Sequence, residues 1–379
     1  MSVVKKIQTG TETVSLARKV KKMYVGVGSV ARKIKKAYIG VGGVARPFWT
    51  TEITYYGTVT DLSVGRYELS AETIGNYALF AGGRGDDSTS AVVDAYNKSL
   101  TRTTPTALSV KRLNMASTTI GNYAVFIGNA SGKGSSKVVD AYNSSLTLTT
   151  TSLTTNHLDA SATTVGNYAL IAGGFVTNAS RSAAVSTLNS SLTVGSTTSL
   201  GVGRRNMGAT TIGDYAIFAG GETADGYETA VDTYNSSLTK KTATVLSYGR
   251  DYLPATSVGN YALFGSGGYS GNDTMRTAMD AYNSSLTKVD VTVSSFKSYD
   301  GAATTAGDYA IFGGGYYSDG AVNAYDTSLI RTILTSLSAR TSTSNGAYEG
   351  LAATTVGSYA LFGGGGNGSY SANVDAYCF

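Results

Sequence analysis

The chain has 379 residues, with 30 Lys and Arg against 25 Asp and Glu, 47 Gly, 27 Tyr, 3 Pro, one Trp, one His and one Cys. A lone Cys378 excludes an internal disulfide and a Cys-rich zinc site, and a lone His157 excludes the clustered imidazoles of most catalytic metal sites. An apolar fraction of 42% excludes a disordered chain, and the Gly, Thr, Ser and Tyr richness points to short strands joined by tight turns.

The start of the chain, Met1-Ser-Val-Val-Lys-Lys, lacks the apolar run of a secretory leader, and no stretch approaches 18 consecutive apolar residues. The expectation is a protein made in a cytoplasm, with no membrane insertion. Residues 1–50 hold 11 basic side chains against Glu12 alone, a charge of +10, whereas the rest of the chain carries −5. Ala17-Arg-Lys-Val-Lys-Lys-Met-Tyr-Val-Gly-Val-Gly-Ser-Val30 returns fourteen residues later as Ala31-Arg-Lys-Ile-Lys-Lys-Ala-Tyr-Ile-Gly-Val-Gly-Gly-Val44. β-Branched and aromatic residues between Lys pairs and Gly-rich turns predict short β-units, which cannot bury a core alone. Such a segment gains order by packing on a partner or on copies of itself, so residues 1–50 read as an attachment module. Its expected contacts are Arg18, Lys19, Lys21, Lys22, Arg32, Lys33, Lys35 and Lys36. A merely basic solvent face is the plainer alternative. Only four aromatics and no RNA-binding or helix-turn-helix signature speak against nucleic acid as a partner.

These Ala-Arg-Lys-Ile-Lys-Lys-Ala-Tyr-Ile-Gly-Val units resemble repeats at the start of structural proteins in phages and prophages of Gram-positive bacteria. The resemblance covers about 35 residues. It implies a virion or tail component present in many copies, with residues 1–50 bound to other virion or tail proteins.

From residue 51 the chain is one repeat array. A Thr-x-Gly-(Asn/Asp/Ser)-Tyr-Ala segment places its Gly at 75, 121, 166, 213, 259, 307 and 357, a period of 45–50 residues that fits propeller blades. Each copy continues through an apolar strand, a Gly-Gly pair such as Gly82-Gly83, a variable loop, a Val-Asp-Ala-Tyr-like strand and an Asn-x-Ser-Leu-Thr turn. Residues 51–379 are therefore expected to form a seven-bladed all-β propeller. The array resembles the kelch repeat family over about residues 55–379. It departs from that pattern in having Leu100, Leu146, Leu192, Leu238, Leu286 and Leu329 at the place of the fourth-strand Trp, and Gly128-Asn129 for one Gly pair. The seventh copy ends one strand short at Phe379, while residues 55–64 precede the first copy like an orphan fourth strand, so the termini are expected to share a blade.

In such a blade the second-to-third and blade-to-blade connections fall on one face, and these carry the variable residues, among them Arg84-Gly-Asp-Asp87, Glu222–Tyr227 and Tyr269–Asp273. Nine residues before each repeat Gly stand Arg66, Arg112, His157, Arg204, Arg250, Ser298 and Tyr348; two further on stand Glu68, Asn114, Asp159, Asn206, Tyr252, Asp300 and Gly350. Placed radially, these make rings near the channel mouth. The expected ligand groups are Arg66, Tyr67, Arg112, His157, Arg204, Arg205, Arg250, Tyr252, Tyr299 and Tyr348, because guanidinium forks and tyrosines bind and stack on sugars or clamp carboxylates. The alternative is that the same arginines tie blades together.

Recurrent Asn-x-Ser triplets are turn chemistry, Gly363–Gly366 lacks a P-loop Lys, and Asp86, Asp87, Asp225 and Asp273 lack the alternating oxygens of a Ca²⁺ loop. No cofactor or metal is expected. Two-His copper ligation, Asp boxes and a nucleophile elbow are all missing, so the expectation is a protein that is not an enzyme, although a carboxylate pair among Asp159, Asp300, Glu68 and Glu349 could in principle cleave a glycosidic bond. The reading is a phage or phage-tail-like particle protein, located in the virion, whose propeller binds a bacterial surface glycan or protein. A capsid decoration protein and a non-viral kelch scaffold are the alternatives.

Overall fold

The structure is a computed structural model. It describes the backbone of residues 23–50 except 28–29, 35 and 42–43, and residues 52–379 except 86–87, 129–136, 178–179, 269–276, 340–347 and 367–369. The chain divides into two compact units, residues 1–52 and 53–379.

In the first unit, Met23–Val27 pairs antiparallel with Val30–Ile34, and Lys36–Val41 with Val44–Thr50. Each pair is two-stranded, with Val27 opposite Val30 and Val41 opposite Val44. Arg32 and Lys33 lie in the second strand and Lys36 opens the third. Arg18, Lys19, Lys21, Lys22 and Lys35 lie outside the described residues.

The second unit is a seven-bladed β-propeller of seven four-stranded antiparallel sheets. Blade 2 is representative: Ala116–Ile120, Tyr123–Ile127, Val138–Asn143 and Leu148–Ser152 follow one another in space as in sequence. The first two strands meet in a two-residue turn, with Ile120 opposite Tyr123. Gly121 opens that turn at φ +55°, and a Cβ there would stand 2.7 Å from the Ser190 Cβ of blade 3. Glycine thus serves both the left-handed backbone and the close approach of the next blade. Blade 7 combines Ala352–Val356, Tyr359–Gly363 and Val374–Cys378 with Thr54–Thr58, whose Thr58 stands opposite Asp375.

The core lies between blades. Second and third strands are buried along nearly their whole length, and each of seven apolar clusters draws side chains from two adjacent blades, as Leu79, Val93 and Ala95 of blade 1 do with Phe126 and Tyr142 of blade 2. Tyr142 meets Phe126 edge-on, ring centres 6.1 Å apart, and its hydroxyl donates to the Thr106 carbonyl at 2.8 Å. Tyr96, Tyr234, Tyr282 and Tyr377 make the same bond to Thr60, Thr198, Thr244 and Thr335. Leu100, Leu146, Leu192, Leu238, Leu286 and Leu329 have φ near +60°, set by the turn they close; in the first copy Asn97 Oδ1 accepts from the N–H groups of Ser99 and Thr101.

Innermost strands are joined through threonine. Thr119 donates to the Thr73 carbonyl at 3.0 Å, Thr164 to Thr119 at 2.7 Å and Thr211 to Thr164 at 2.6 Å, while Thr73 reaches Thr355 of blade 7 at 2.6 Å. The Thr-Thr pair repeated in the sequence therefore bridges blades beside the axis.

Candidate functional site

The blade-to-blade connections meet at one end of the channel. Glu68, Asn114, Asp159, Asn206, Tyr252, Asp300 and Gly350 all adopt left-handed backbone, φ +47° to +61°. Their peptide groups form a collar, in which six of the seven N–H groups donate to the carbonyl of the equivalent residue one blade back. The links run from Glu68 to Gly350, Asn114 to Glu68, Asn206 to Asp159, Tyr252 to Asn206, Asp300 to Tyr252 and Gly350 to Asp300, at 2.7–3.2 Å. Left-handed geometry costs roughly 1–2 kcal/mol at a residue that is not Gly, and Asn and Asp bear it best. The collar borders a cavity of about 200 Å³, lined by Asn114, Asp159, Asn206, Tyr252 and Asp300 together with Ser70, Ser161, Met207 and Pro254.

The outer ring of the sequence analysis lies elsewhere. Arg66, Arg112, Arg204 and Arg250 are at most 1% exposed and do not reach the mouth. Arg66 pairs with Asp94 and Arg112 with Asp140 at 2.5 Å; Arg204 pairs with Asp232 and Arg250 with Asp280 at 2.9 Å. Burial lowers the pKa of Arg66, Arg112 and Arg250 while the adjacent carboxylate opposes it. The backbone carbonyl of each of these arginines accepts an N–H from the Gly-pair region of the preceding blade, Gly83 to Arg112 and Gly365 to Arg66 for instance. Each connection is thus tied to two blades, and the ligand role expected of these four arginines is corrected to a structural one. His157 is buried too, with Nδ1 2.9 Å from the Gly173 carbonyl and Nε2 2.8 Å from Ser186 Oγ; desolvation lowers its pKa.

The remaining expected groups lie nearer the rim. Arg205 binds the Asp159 carboxylate at 3.0 Å and that of Glu222 at 2.6 Å, and lies over the Phe175 ring at 4.8 Å. Arg181 holds the other Glu222 oxygen at 2.5 Å. Although partial burial opposes it, the two guanidiniums keep Glu222 below the usual carboxylate range. Tyr67 stacks on Tyr370 with centres 5.5 Å apart, and Tyr348 packs on the core between blades 6 and 7. Asp86, Asp87 and Asp273 lie outside the described residues.

Tyr252 and Tyr299 do converge, and two unforeseen tyrosines join them. Tyr299 stacks on Tyr316 with centres 5.2 Å apart and a 27° tilt; Tyr317 stands edge-on to Tyr316 at 4.2 Å, and Tyr252 lies 6.4 Å from Tyr299. The cluster runs from exposed Tyr317 to Tyr252 in the cavity wall. Beside it, burial and then the like charges of Glu349, Glu68 and Asp251 raise Asp300 to about 7. Burial and Glu222 raise Asp251 to about 7, and burial also raises Glu68. Carboxylic acids that hold a proton near neutral pH can donate it to a leaving oxygen.

Asp251, Tyr316, Tyr317 and the inner-strand Glu72 were missed from sequence. Glu72 is found by superposing the seven repeats, for it stands where the others have Thr118, Thr163, Thr210, Thr256, Thr304 and Thr354. Burial raises it to about 7, against bonds from the Thr73 N–H and the Thr119 hydroxyl. Tyr316 and Tyr317 follow the Gly314-Gly315 pair directly, but nothing local says that they meet Tyr299.

No protein-family model matches the chain, and no curated protein matches it. Among solved structures, the chain resembles the structure of YjhT with a TM-score of 0.57 at 12% identity, covering 73% of this chain and 99% of that one. The propeller is similar to that of YjhT. At this identity the likeness concerns the fold alone. The family comparison does not support the kelch assignment, whereas the seven-bladed propeller stands. The expectation that the chain is not an enzyme does not stand beside the likeness to YjhT, which shows the propeller fold and assigns this chain no activity.

Proposed function

We propose that this protein binds a bacterial surface glycan at the channel mouth of its propeller, as part of a phage or phage-tail-like particle to which residues 1–50 attach it. The tyrosine cluster beside the collar carries the reading. Aromatic faces receive the C–H faces of sugar rings, and the amides, phenol and carboxylates of the rim supply directional partners for hydroxyls. The particle part rests on the resemblance of the basic repeats to phage structural proteins and on the charge division of the chain, +10 in residues 1–50 against −5 beyond. Many copies on one particle multiply weak affinity for each glycan.

The test places the full-length protein on a panel of purified cell-wall glycans, following both binding and the release of reducing ends. Tyr317→Ala and Tyr299→Ala are expected to weaken binding about ten-fold or more, whereas Ser145→Ala on the opposite face leaves it unchanged. Equal effects from both faces would remove the mouth from the reading. Immunolabelling of particles decides the second part: absence from every particle ends it, and label on the capsid shell indicates a decoration protein.

A further inference from the structure

The residue before a collar position is bonded through its backbone to the first residue past the Gly-Gly pair of its own blade. These frames are Tyr67 with Arg84 in blade 1, Leu158 with Phe175 in blade 3, Arg205 with Glu222 in blade 4 and Tyr299 with Tyr316 in blade 6, at 2.8–3.3 Å. In blade 7 the Gly366 N–H donates to the Glu349 carbonyl at 3.0 Å. One backbone frame thus carries different side chains from blade to blade. In blade 4 it is charged, and the Phe175 ring of blade 3 lies under Arg205 and Arg181. In blades 6 and 1 it is aromatic: Tyr299, Tyr316 and Tyr317 cluster on the first, and on the second Tyr67 stacks on Tyr370 of blade 7. None of Tyr67, Tyr299, Tyr316, Tyr317 and Tyr370 belongs to the apolar clusters of the core among the described residues. Tyr317 is exposed and holds φ +67°, a strained backbone for a bulky residue, in a turn pinned by the Ser318 hydroxyl on the Gly315 carbonyl at 2.8 Å. Between the two platforms blade 7 has glycine at the collar, Gly350, and in the frame, Gly366. Collar bonds join Asp300, Gly350 and Glu68 in turn, so Tyr299 and Tyr67 stand two collar steps apart, roughly 10 Å at the usual spacing of hydrogen-bonded strands. One pyranose ring does not cover that span.

We propose that the mouth holds a glycan chain of two or more linked rings, laid across blades 6, 7 and 1, with one ring on the cluster of Tyr299, Tyr316 and Tyr317 and another on the stack of Tyr67 and Tyr370. This rests on the glycan reading above and narrows it to an extended stretch of chain over a single sugar unit. Each platform offers a tyrosine face to the C–H face of a sugar ring. Either contact alone is weak. Once one ring is seated, its linked neighbour meets the other platform at high effective concentration, so the two contacts multiply and affinity depends on chain length.

Oligosaccharides of one to six units, cut by partial hydrolysis from each purified cell-wall glycan of the panel, are titrated calorimetrically into the full-length protein. Affinity should rise about ten-fold or more from the single unit to the tetramer and change little beyond it. Tyr67→Ala should bring the tetramer to within about two-fold of the single unit, whereas Tyr67→Phe keeps the ring face and should keep the rise. Tyr317→Ala, at an exposed position, makes the same test from the other platform should Tyr67→Ala not fold. A single unit that binds as tightly as the tetramer, a length dependence that either folded alanine variant leaves intact, or binding confined to the uncut glycan overturns the two-platform inference and leaves the glycan reading standing. If no fragment and no uncut glycan of the panel binds, both fail.

Discussion

His157 Nε2 lies 2.8 Å from Ser186 Oγ, at the place where four other blades set a buried arginine against a buried aspartate. The exchange is paired in blades 3 and 6, where His157 and Ser298 stand with Ser186 and Asn323, whereas blade 7 has Tyr348 and keeps Asp375, which accepts from the Tyr55 hydroxyl and the Ser338 N–H. In blade 3 a neutral imidazole on a hydroxyl satisfies both partners without a buried charge, whereas either half-exchange there would strand one.

Arg112→Ala is therefore expected to destabilise by about 3–5 kcal/mol, because it leaves Asp140 buried and uncompensated. The double exchange Arg112→His with Asp140→Ser, copied from blade 3, should lose much less than the sum of its single exchanges. Urea denaturation of the two singles and the double gives the coupling; additivity would show that the pair is not a unit.

Two tyrosine-to-phenylalanine exchanges separate hydrogen bonding from packing. Tyr142→Phe removes the bond to the Thr106 carbonyl and should cost about 1 kcal/mol. Tyr325→Phe, at a buried hydroxyl with no hydrogen-bond partner among the described residues, should be neutral or stabilising. Thermal unfolding of both, compared at one pH, tests the contrast.

Gly121→Ala should destabilise by roughly 2 kcal/mol or more, through left-handed strain together with the clash on Ser190. Gly213→Ala is the control, for φ there is +53° in the equivalent turn and a Cβ meets only Ser284, at 3.4 Å. A loss at Gly121 no larger than that at Gly213 would mean that the blades separate easily to admit a methyl group.

Stability should fall as pH rises from about 4 to about 7. Glu72, Asp251 and Asp300 hold their protons to about 7 in the fold and release them near 4 when unfolded, so the native state binds more protons in that window. His157, whose pKa is lowered, acts in the opposite sense below its unfolded value of about 6.5. Glu72→Thr, which restores the residue of the other six blades, should flatten the fall. A urea midpoint with the same pH dependence in wild type and variant would remove Glu72 from this account.

The propeller was legible in the sequence because a blade is a local pattern: the Gly of the first turn, the Gly-Gly pair and the Val-Asp-Ala-Tyr strand recur at 45–50 residues and each satisfies its own backbone. The collar positions were legible for the same reason, since seven equivalent residues in a radial array must form a ring. Repetition could not say which ring faces the channel. Arg112 and Asn114 are two residues apart, yet the long side chain turns back to Asp140 while the short one stays at the mouth. Only the tertiary structure decided this, because it depends on where an uncompensated aspartate lies in a strand 28 residues on. The same holds for Asp251 and Asp300, raised by burial and by carboxylates of other blades, and for Tyr252, which meets Tyr299 of the next blade 47 residues on.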